Sequence, residues 1–114
     1  MKPAQTTEKA GKPGHVPASA PYRAIAVLKA KPGLAQKLLD LTLQVLPQIR
    51  EVEGLQKVEV NRGTTDPGEL VLYYWWETPT HSQQYVAGPL YASIGPKLQA
   101  LVQEHQLYMT ENLA

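Results

Sequence analysis

The run Leu70–Glu77 constrains the fold more than any other part of this chain. It reads LVLYYWWE and holds both tryptophans and two of the six tyrosines. In a β-strand, successive side chains point to opposite faces. One face would carry Leu70, Leu72, Tyr74 and Trp76, and the other Val71, Tyr73 and Trp75. Both faces are apolar, which is typical of a central strand in a sheet that is covered on both sides. We expect the chain's own helices to cover one face and a second subunit to cover the other.

Length and composition restrict the class of protein. At 114 residues the chain is one domain, and its 11 basic against 10 acidic residues predict no nucleic-acid surface. The absence of cysteine excludes disulfides, thiolate metal sites and cysteine nucleophiles, and is compatible with a reducing cytoplasm. No apolar run approaches the roughly 18 residues that span a membrane, and no apolar secretory segment is apparent. We therefore expect a cytoplasmic protein that binds neither nucleic acid nor a membrane.

Residues 1–21 differ in composition from the rest. They carry four of the ten prolines, two glycines and few large apolar residues. Burial of so little apolar surface cannot offset the entropy lost on ordering. We predict a flexible N-terminal tail, although a course along a partner subunit is also compatible with the sequence, and a single α+β domain over residues 22–114.

The first half of this domain predicts a strand, a helix and a second strand. Alternation predicts a strand from Tyr22, ended by Lys31-Pro32-Gly33, and apolar spacings of three and four predict a helix over 34–52. Pro47 predicts a kink or restart near Leu46, and Gly54 predicts a left-handed helix end. A strand follows over 55–62, with Val58 and Val60 on one face. Its other face is predicted to carry Leu55, Lys57, Glu59 and Asn61.

The second half adds two strands and two helices. The turn residues 63–68 predict a hairpin to the aromatic strand. Thr78 and Pro79 predict a helix start, with the end near Ala87. A further helical turn is expected to break at Gly95-Pro96, and a helix from Pro96 is expected to precede a strand over 105–110. The order β-α-β-β-α-α-β predicts an α+β fold with a four-stranded antiparallel sheet and its helices on one face. The uncovered apolar face predicts a homodimer.

This order and several local phrases resemble the antibiotic biosynthesis monooxygenase family, over roughly residues 22–112. The matching phrases are Lys31-Pro32-Gly33, Glu51-Val52-Glu53-Gly54-Leu55, Thr65-Asp66-Pro67-Gly68, Leu72-Tyr73-Tyr74-Trp75-Trp76-Glu77 and Gly88-Pro89-Leu90-Tyr91. The resemblance implies a ferredoxin-like domain that dimerises sheet to sheet as an α+β barrel. It also implies a pocket between sheet and helices, in which a deprotonated substrate reacts with oxygen without a cofactor. Such a reaction needs a dry cavity, a hydrogen-bonding group for the substrate's oxyanion and sometimes a base.

The resemblance also suggests site residues. Trp76 matches the family's tryptophan at the end of the third strand. Members that oxidise polyketide phenols have an asparagine before this tryptophan and a tyrosine after it, where Leu72 and Ser82 stand here. Haem-degrading relatives have an asparagine on the first strand, a tryptophan after the third and a histidine farther on. At those places this chain has Ala or Ile, Tyr85 and Gly95.

Each candidate residue has a catalytic and a structural interpretation. Trp76 and Tyr74 could form the wall of a substrate pocket, with the indole N–H as a donor, or could fill the core. His81 could be a base whose imidazole the helix dipole keeps neutral, or a first-turn residue in a local cap contact. Tyr85 and Tyr91 could line the cavity mouth or pack helix against sheet. His105 is expected at the edge of the last strand, and no histidine pair has metal-ligand spacing with a carboxylate.

These observations leave three functions open. The first is a cofactor-independent monooxygenase acting on an aromatic, quinol-like or polyketide-like molecule, with Trp76 and His81 catalytic. Its substrate contacts would be Leu72, Tyr74, Ser82, Tyr85 and Tyr91. The second is a non-catalytic dimeric module that binds an apolar metabolite, and the third is a dimeric scaffold without a cavity.

Overall fold

Four strands and three helices make up residues 22–114, the part of the chain that the computed structural model describes. The elements are β1 (Tyr22–Ala30), α1 (Ala35–Ile49), β2 (Leu55–Arg62), β3 (Glu69–Trp76), α2 (Pro79–Val86), α3 (Pro89–Leu101) and β4 (Val102–Glu111). The predicted order of elements is confirmed. The tail predicted for residues 1–21 lies outside the described residues.

The strands form one sheet in the order β2-β3-β1-β4, and every neighbouring pair is antiparallel. The aromatic strand β3 is central, and the predicted hairpin joins it to β2. Tyr74 lies opposite Ala24 on β1 and opposite Val58 on β2. Strand order and helix placement confirm the predicted ferredoxin-like α+β fold.

One face of β3 is buried beneath the helices. Leu70, Leu72, Tyr74 and Trp76 have relative exposures of 2%, 4%, 8% and 1%. On the opposite face, Val71 and Trp75 are half-buried and Tyr73 is 36% exposed. Small residues of β1, including Ala24 and Ala26, leave room above the sheet for the large side chains of β3 and the helices. The helices therefore cover one face of this strand, as predicted.

The prediction for Leu55 was wrong about its face. Leu55 lies opposite Trp76 and is 1% exposed, in the core beneath the helices. The register between β2 and β3 shifts between Leu55 and Lys57. This β-bulge inserts one extra residue, so the side chains before and after it no longer follow simple alternation.

Two prolines lie inside helices that continue through them. α1 runs to Ile49 through Pro47, and α3 runs from Pro89 to Leu101 through Pro96, so the predicted restart and break are wrong. Pro47 is close to the end of α1, where few helical hydrogen bonds remain to be lost. Gly95 lacks the Cβ that usually clashes with a following proline and drives that residue out of the helix. Gly54 does have φ of +83°, but it lies beyond the end of α1.

β4 is longer than predicted and occupies one edge of the sheet. It begins at Val102 rather than at His105. Leu107 and Met109, on the helix-facing side, are 48% and 49% exposed because the helices do not extend over this edge, and Tyr108, on the outer face, is 51% exposed. Within residues 22–114, no helix is long and apolar enough to cross a membrane.

Candidate active site

A cavity of about 50 Å³ lies between the sheet and the helices. The sheet contributes Ala24, Ala26, Leu28, Leu72, Tyr74, Trp76, His105 and Leu107 to its lining. The helices contribute Leu41, Thr42, Val45, Ile49, Ser82, Tyr85, Val86, Tyr91, Ile94 and Leu98. A water molecule needs roughly 10–15 Å³ and a drug-sized ligand about 300 Å³ or more. The enclosed space therefore suits a few waters, and a ring-containing ligand needs more room.

Additional room lies in an open groove of about 550 Å³ between α2 and β4. Ser82, Val86 and Leu107 line both the groove and the cavity, so these three residues form the partition between them. Val86 and Leu107 are 43% and 48% exposed. Exposed side chains change rotamer readily, so the partition can move and join the two spaces.

Four aromatic rings form one wall of the cavity. Trp76 stacks on Tyr74 with 6.1 Å between ring centroids, and Tyr85 lies 5.7 Å from Trp76. Tyr85 in turn meets Tyr91 edge to face at 5.5 Å. These residues come from β3, α2 and α3, and Leu72 and Ser82 complete this part of the lining. The six residues that the sequence suggested around a pocket thus surround one cavity.

The hydroxyls of Tyr74 and Tyr85 remain protonated in neutral solution. Burial raises the pKa of Tyr74 well above its usual value, and the neighbouring Tyr85 raises it further. Burial also raises the pKa of Tyr85 to about 12, against the opposing effect of its hydrogen bond with Tyr74. A neutral phenol donates a hydrogen bond, so this wall can stabilise a negative charge on a bound ligand.

Trp76, a lining residue, carries an unused hydrogen-bond donor. Its side chain is 1% exposed, and its Nε1–H finds no acceptor among the described residues. A buried donor without a partner costs about 1–3 kcal/mol. A ligand that presents an oxygen to Trp76 would recover that free energy.

The remaining polar groups of the lining are largely occupied within the protein. Thr42 donates from Oγ1 to the carbonyl of Leu38 at 2.8 Å. Ser82 donates from Oγ to Sδ of Met109 at 3.7 Å, a weak acceptor. Ser82 can therefore exchange this contact for a stronger ligand acceptor at small cost.

His81 lies outside the cavity. Its Nδ1 is 2.9 Å from Oγ1 of Thr78, and its backbone N–H donates to the same oxygen at 3.2 Å. Its ring packs against Gly54. This is the local cap contact that was the structural interpretation, and it keeps His81 away from a ligand in the cavity.

Sequence reasoning missed two polar residues of the cavity lining. Thr42 was hidden within an amphipathic helix, and His105 was expected to be an edge residue only. β4 is indeed an edge strand, but His105 lies opposite Leu28 on β1 and so shares the helix-facing side. Leu107 and Met109 lie on one side of β4, and His105 falls on the same side. This alternation could have indicated that His105 faces the helices.

The outer sheet face carries a cluster of two cations around Trp75. Arg23 and Lys57 both lie opposite Trp75, with their charged groups 5.6 Å and 5.1 Å from its ring centroid. Lys57 also pairs with Glu59 at 3.0 Å. Nε of Arg23 is buried and has no acceptor among residues 22–114. No group of three or more potential metal ligands occurs in the described part of the chain.

The antiparallel sheet, its helix layer and the aromatic cavity between them define a ferredoxin-like α+β protein with an internal site. The family model "Antibiotic biosynthesis monooxygenase" matches residues 21–95, and the chain belongs to this family. The match ends before β4. No protein with a curated description matches the sequence.

Solved structures show the same fold. A conserved protein from Methanosarcina mazei has a TM-score of 0.76 at 18% identity, over 83% of this chain and 96% of its own. A Pseudomonas aeruginosa protein has a TM-score of 0.75 at 19% identity, over 89% of this chain and 100% of its own. A structure named as an antibiotic biosynthesis monooxygenase has a TM-score of 0.74 at 17% identity, over 82% of this chain and 99% of its own.

Proposed function

We propose that this protein is a cofactor-independent monooxygenase that oxidises an aromatic, quinol-like or polyketide-like molecule. The observation that carries the proposal is the buried, unpartnered indole N–H of Trp76, a residue that lines a cavity walled by tyrosines. In the proposed reaction a phenolic ketone of the anthrone type loses a proton, and its anion passes electrons to O₂. One oxygen atom becomes a carbonyl oxygen of the product, and the other leaves as water with the two hydrogens of the oxidised carbon. The substrate supplies all the electrons.

The residues of the wall fit the charge that develops in this reaction. The Trp76 N–H and the protonated hydroxyl of Tyr85 are donors for the substrate's oxyanion, and the hydroxyl of Tyr74 donates to that of Tyr85. Their burial strengthens each hydrogen bond, because little water competes for the anion. The aromatic faces provide stacking surface for the rings of the substrate. The family membership of the chain and the name of one similar structure support the same reaction class.

The proposed binding mode uses both the cavity and the groove. A substrate enters between α2 and β4 and displaces Val86 and Leu107 from the partition. Its apolar rings then lie against Leu72 and the aromatic wall, with its oxygen towards Trp76. This accounts for a small internal cavity beside a larger open groove.

A homodimer is part of the proposal. The outer sheet face exposes Tyr73 by 36% and Tyr108 by 51%, next to the half-buried Trp75. Covering this face with a second copy would bury these aromatic side chains.

Oxygen uptake with a panel of hydroquinones and anthrone-type phenols tests the proposed reaction. Trp76→Phe removes the N–H and keeps a ring, so we expect kcat/KM to fall about 10-fold, as for loss of one hydrogen bond to a charged group. Trp75→Phe, on the outer face, is the matched control and should retain wild-type uptake. Uptake that no member of the panel stimulates, or that Trp76→Phe leaves unchanged, would contradict the proposal.

A second function is favoured by the character of the lining. Leu72 and Ser82 stand where the resemblance implies polar or aromatic groups in phenol-oxidising members, and both line the cavity. A non-catalytic dimer that binds an apolar metabolite needs no such groups. Native mass spectrometry of freshly purified protein distinguishes the two, since a retained small molecule without any oxygen uptake would favour the binding module.

A further inference from the structure

His105 is the histidine that reaches the cavity. It lies opposite Leu28 of β1, so its side chain is on the helix-facing side of the sheet. It lines the cavity together with Leu28 and Leu98. Because β4 is an edge strand, His105 is also exposed to solvent. One side chain thus meets both the cavity and bulk water.

The other titratable groups of the lining are tyrosines, which are poor bases. Burial raises the pKa of Tyr74 and the pKa of Tyr85, so both hydroxyls stay protonated and act as donors. Imidazole is the side chain whose neutral form accepts a proton near neutral pH. Among the lining residues, His105 alone has this group. His81 is not in the lining and holds Thr78 instead.

We propose that His105 is the general base that removes the proton from the substrate, and this inference rests on the proposed function. In this step an acidic C–H bond of the phenolic ketone breaks and an N–H bond forms on the imidazole. The electron pair stays on the substrate and delocalises onto its oxygen. The exposed part of the ring then passes the proton to water, which restores the base for the next cycle.

Proton exchange without oxygen tests the base separately from the oxidation. Anthrone in D₂O under argon exchanges its methylene protons for deuterium, which proton NMR follows as loss of the methylene signal. We expect the wild-type protein to accelerate this exchange and His105→Ala to lower the acceleration on the order of 100-fold, the contribution typical of a general base. Added imidazole should restore part of the exchange by His105→Ala. Gln106→Ala, on the opposite face of β4, is the matched control and should exchange like the wild type.

The possible outcomes distinguish a failure of the role proposed for His105 from a failure of the proposed oxygenase function. Wild-type oxygen uptake together with undiminished exchange by His105→Ala would overturn the role of His105 and leave the oxygenase intact. Loss of exchange in His81→Ala, with His105→Ala unaffected, would overturn it as well. A wild-type protein that neither exchanges anthrone protons nor takes up oxygen with any substrate of the panel would overturn both. Circular dichroism of each variant confirms that the comparison is between folded proteins.

Discussion

Trp75 and Trp76 are neighbours in the chain that occupy opposite environments. Trp76 is 1% exposed in the core, whereas Trp75 lies on the outer face between two cations. The alternation of side chains along a strand predicts this division directly from the sequence. The unpartnered Nε1–H of Trp76 was beyond prediction, because it depends on which atoms of α2 and α3 come near it.

The raised pKa of Tyr85 leads us to expect that the protein loses stability in alkaline solution. Its pKa is raised to about 12 in the folded protein, against about 10 in an unfolded chain. Its contribution to stability is therefore fully present below pH of about 10 and is lost as the pH rises towards about 12, where the folded state also loses the proton. Urea unfolding at a series of alkaline pH values measures this decline. Tyr85→Phe should decline less steeply, and parallel curves for the two proteins would refute the assignment.

The two histidines of the domain show what local sequence cannot supply. The position of His81 after Thr78 predicted the alternatives of base or cap contact, and the structure shows the cap contact. The access of His105 to the cavity depends on the pairing of β4 with β1, two segments far apart in the chain. Neighbouring residues in the chain are enough to predict a helix-cap contact. A binding site depends on how strands far apart in the sequence pair with each other.

At the scale of elements, the junction between β2 and α2 depends on Gly54. Gly54 has φ of +83°, and a Cβ there would collide with Cβ and Cγ of His81. The backbone N–H of Glu77 also donates to the Gly54 carbonyl at 2.8 Å. The start of α2 is thereby fixed against the turn before β2.

Gly33 offers a matched control for this junction. It has a similar φ of +80°, and a Cβ there would meet nothing within 4 Å. Gly33→Ala should lower the free energy of unfolding by about 1–2 kcal/mol, the cost of a left-handed residue with a Cβ. Gly54→Ala should cost about 1–3 kcal/mol more, because the His81 side chain must also move. Urea unfolding of both variants measures the difference, and equal losses would show that the contact with His81 carries no penalty.

The elements themselves were largely predictable, and the errors have local causes. Apolar periodicity and turn residues located every strand and helix, including the hairpin through 63–68. The face of Leu55 was wrong because a bulge leaves no signature in alternation. The restart considered at Pro47 and the break expected at Pro96 were wrong, because both helices continue through their prolines. Gly95 lacks the Cβ that would clash with Pro96.

At the scale of the whole molecule, the proposed dimer predicts a specific mutational effect. Tyr73→Glu would place a carboxylate in the centre of the outer face, opposite Glu59 of β2, so we expect it to convert a dimer into a folded monomer. Leu43→Glu alters another exposed apolar residue, 49% exposed on α1, and should leave the dimer intact. Sedimentation equilibrium measures both masses. A wild-type monomer at micromolar concentration, or a dimer that Tyr73→Glu does not affect, would count against the second subunit.

The fold was readable from the sequence because β3 permits few arrangements. A strand that is apolar on both faces requires a central position, and the flanking patterns provide one layer of helices. The volume of the cavity was not readable, since it is the small difference between the space enclosed and the side chains that fill it. A cavity of about 50 Å³ beside a groove of about 550 Å³ therefore emerges only from packing.

The central claim is that the indole N–H of Trp76 binds the substrate, and the two tryptophans allow a direct measurement. A proton–nitrogen correlation spectrum of the protein shows one indole signal for each, and Trp75→Phe assigns them. When anthrone is added under argon, the account predicts a downfield shift of the Trp76 signal, as its N–H gains an acceptor, while the Trp75 signal stays in place. A Trp76 signal that remains unchanged at saturating anthrone, in a protein that oxidises anthrone in air, would contradict the claim.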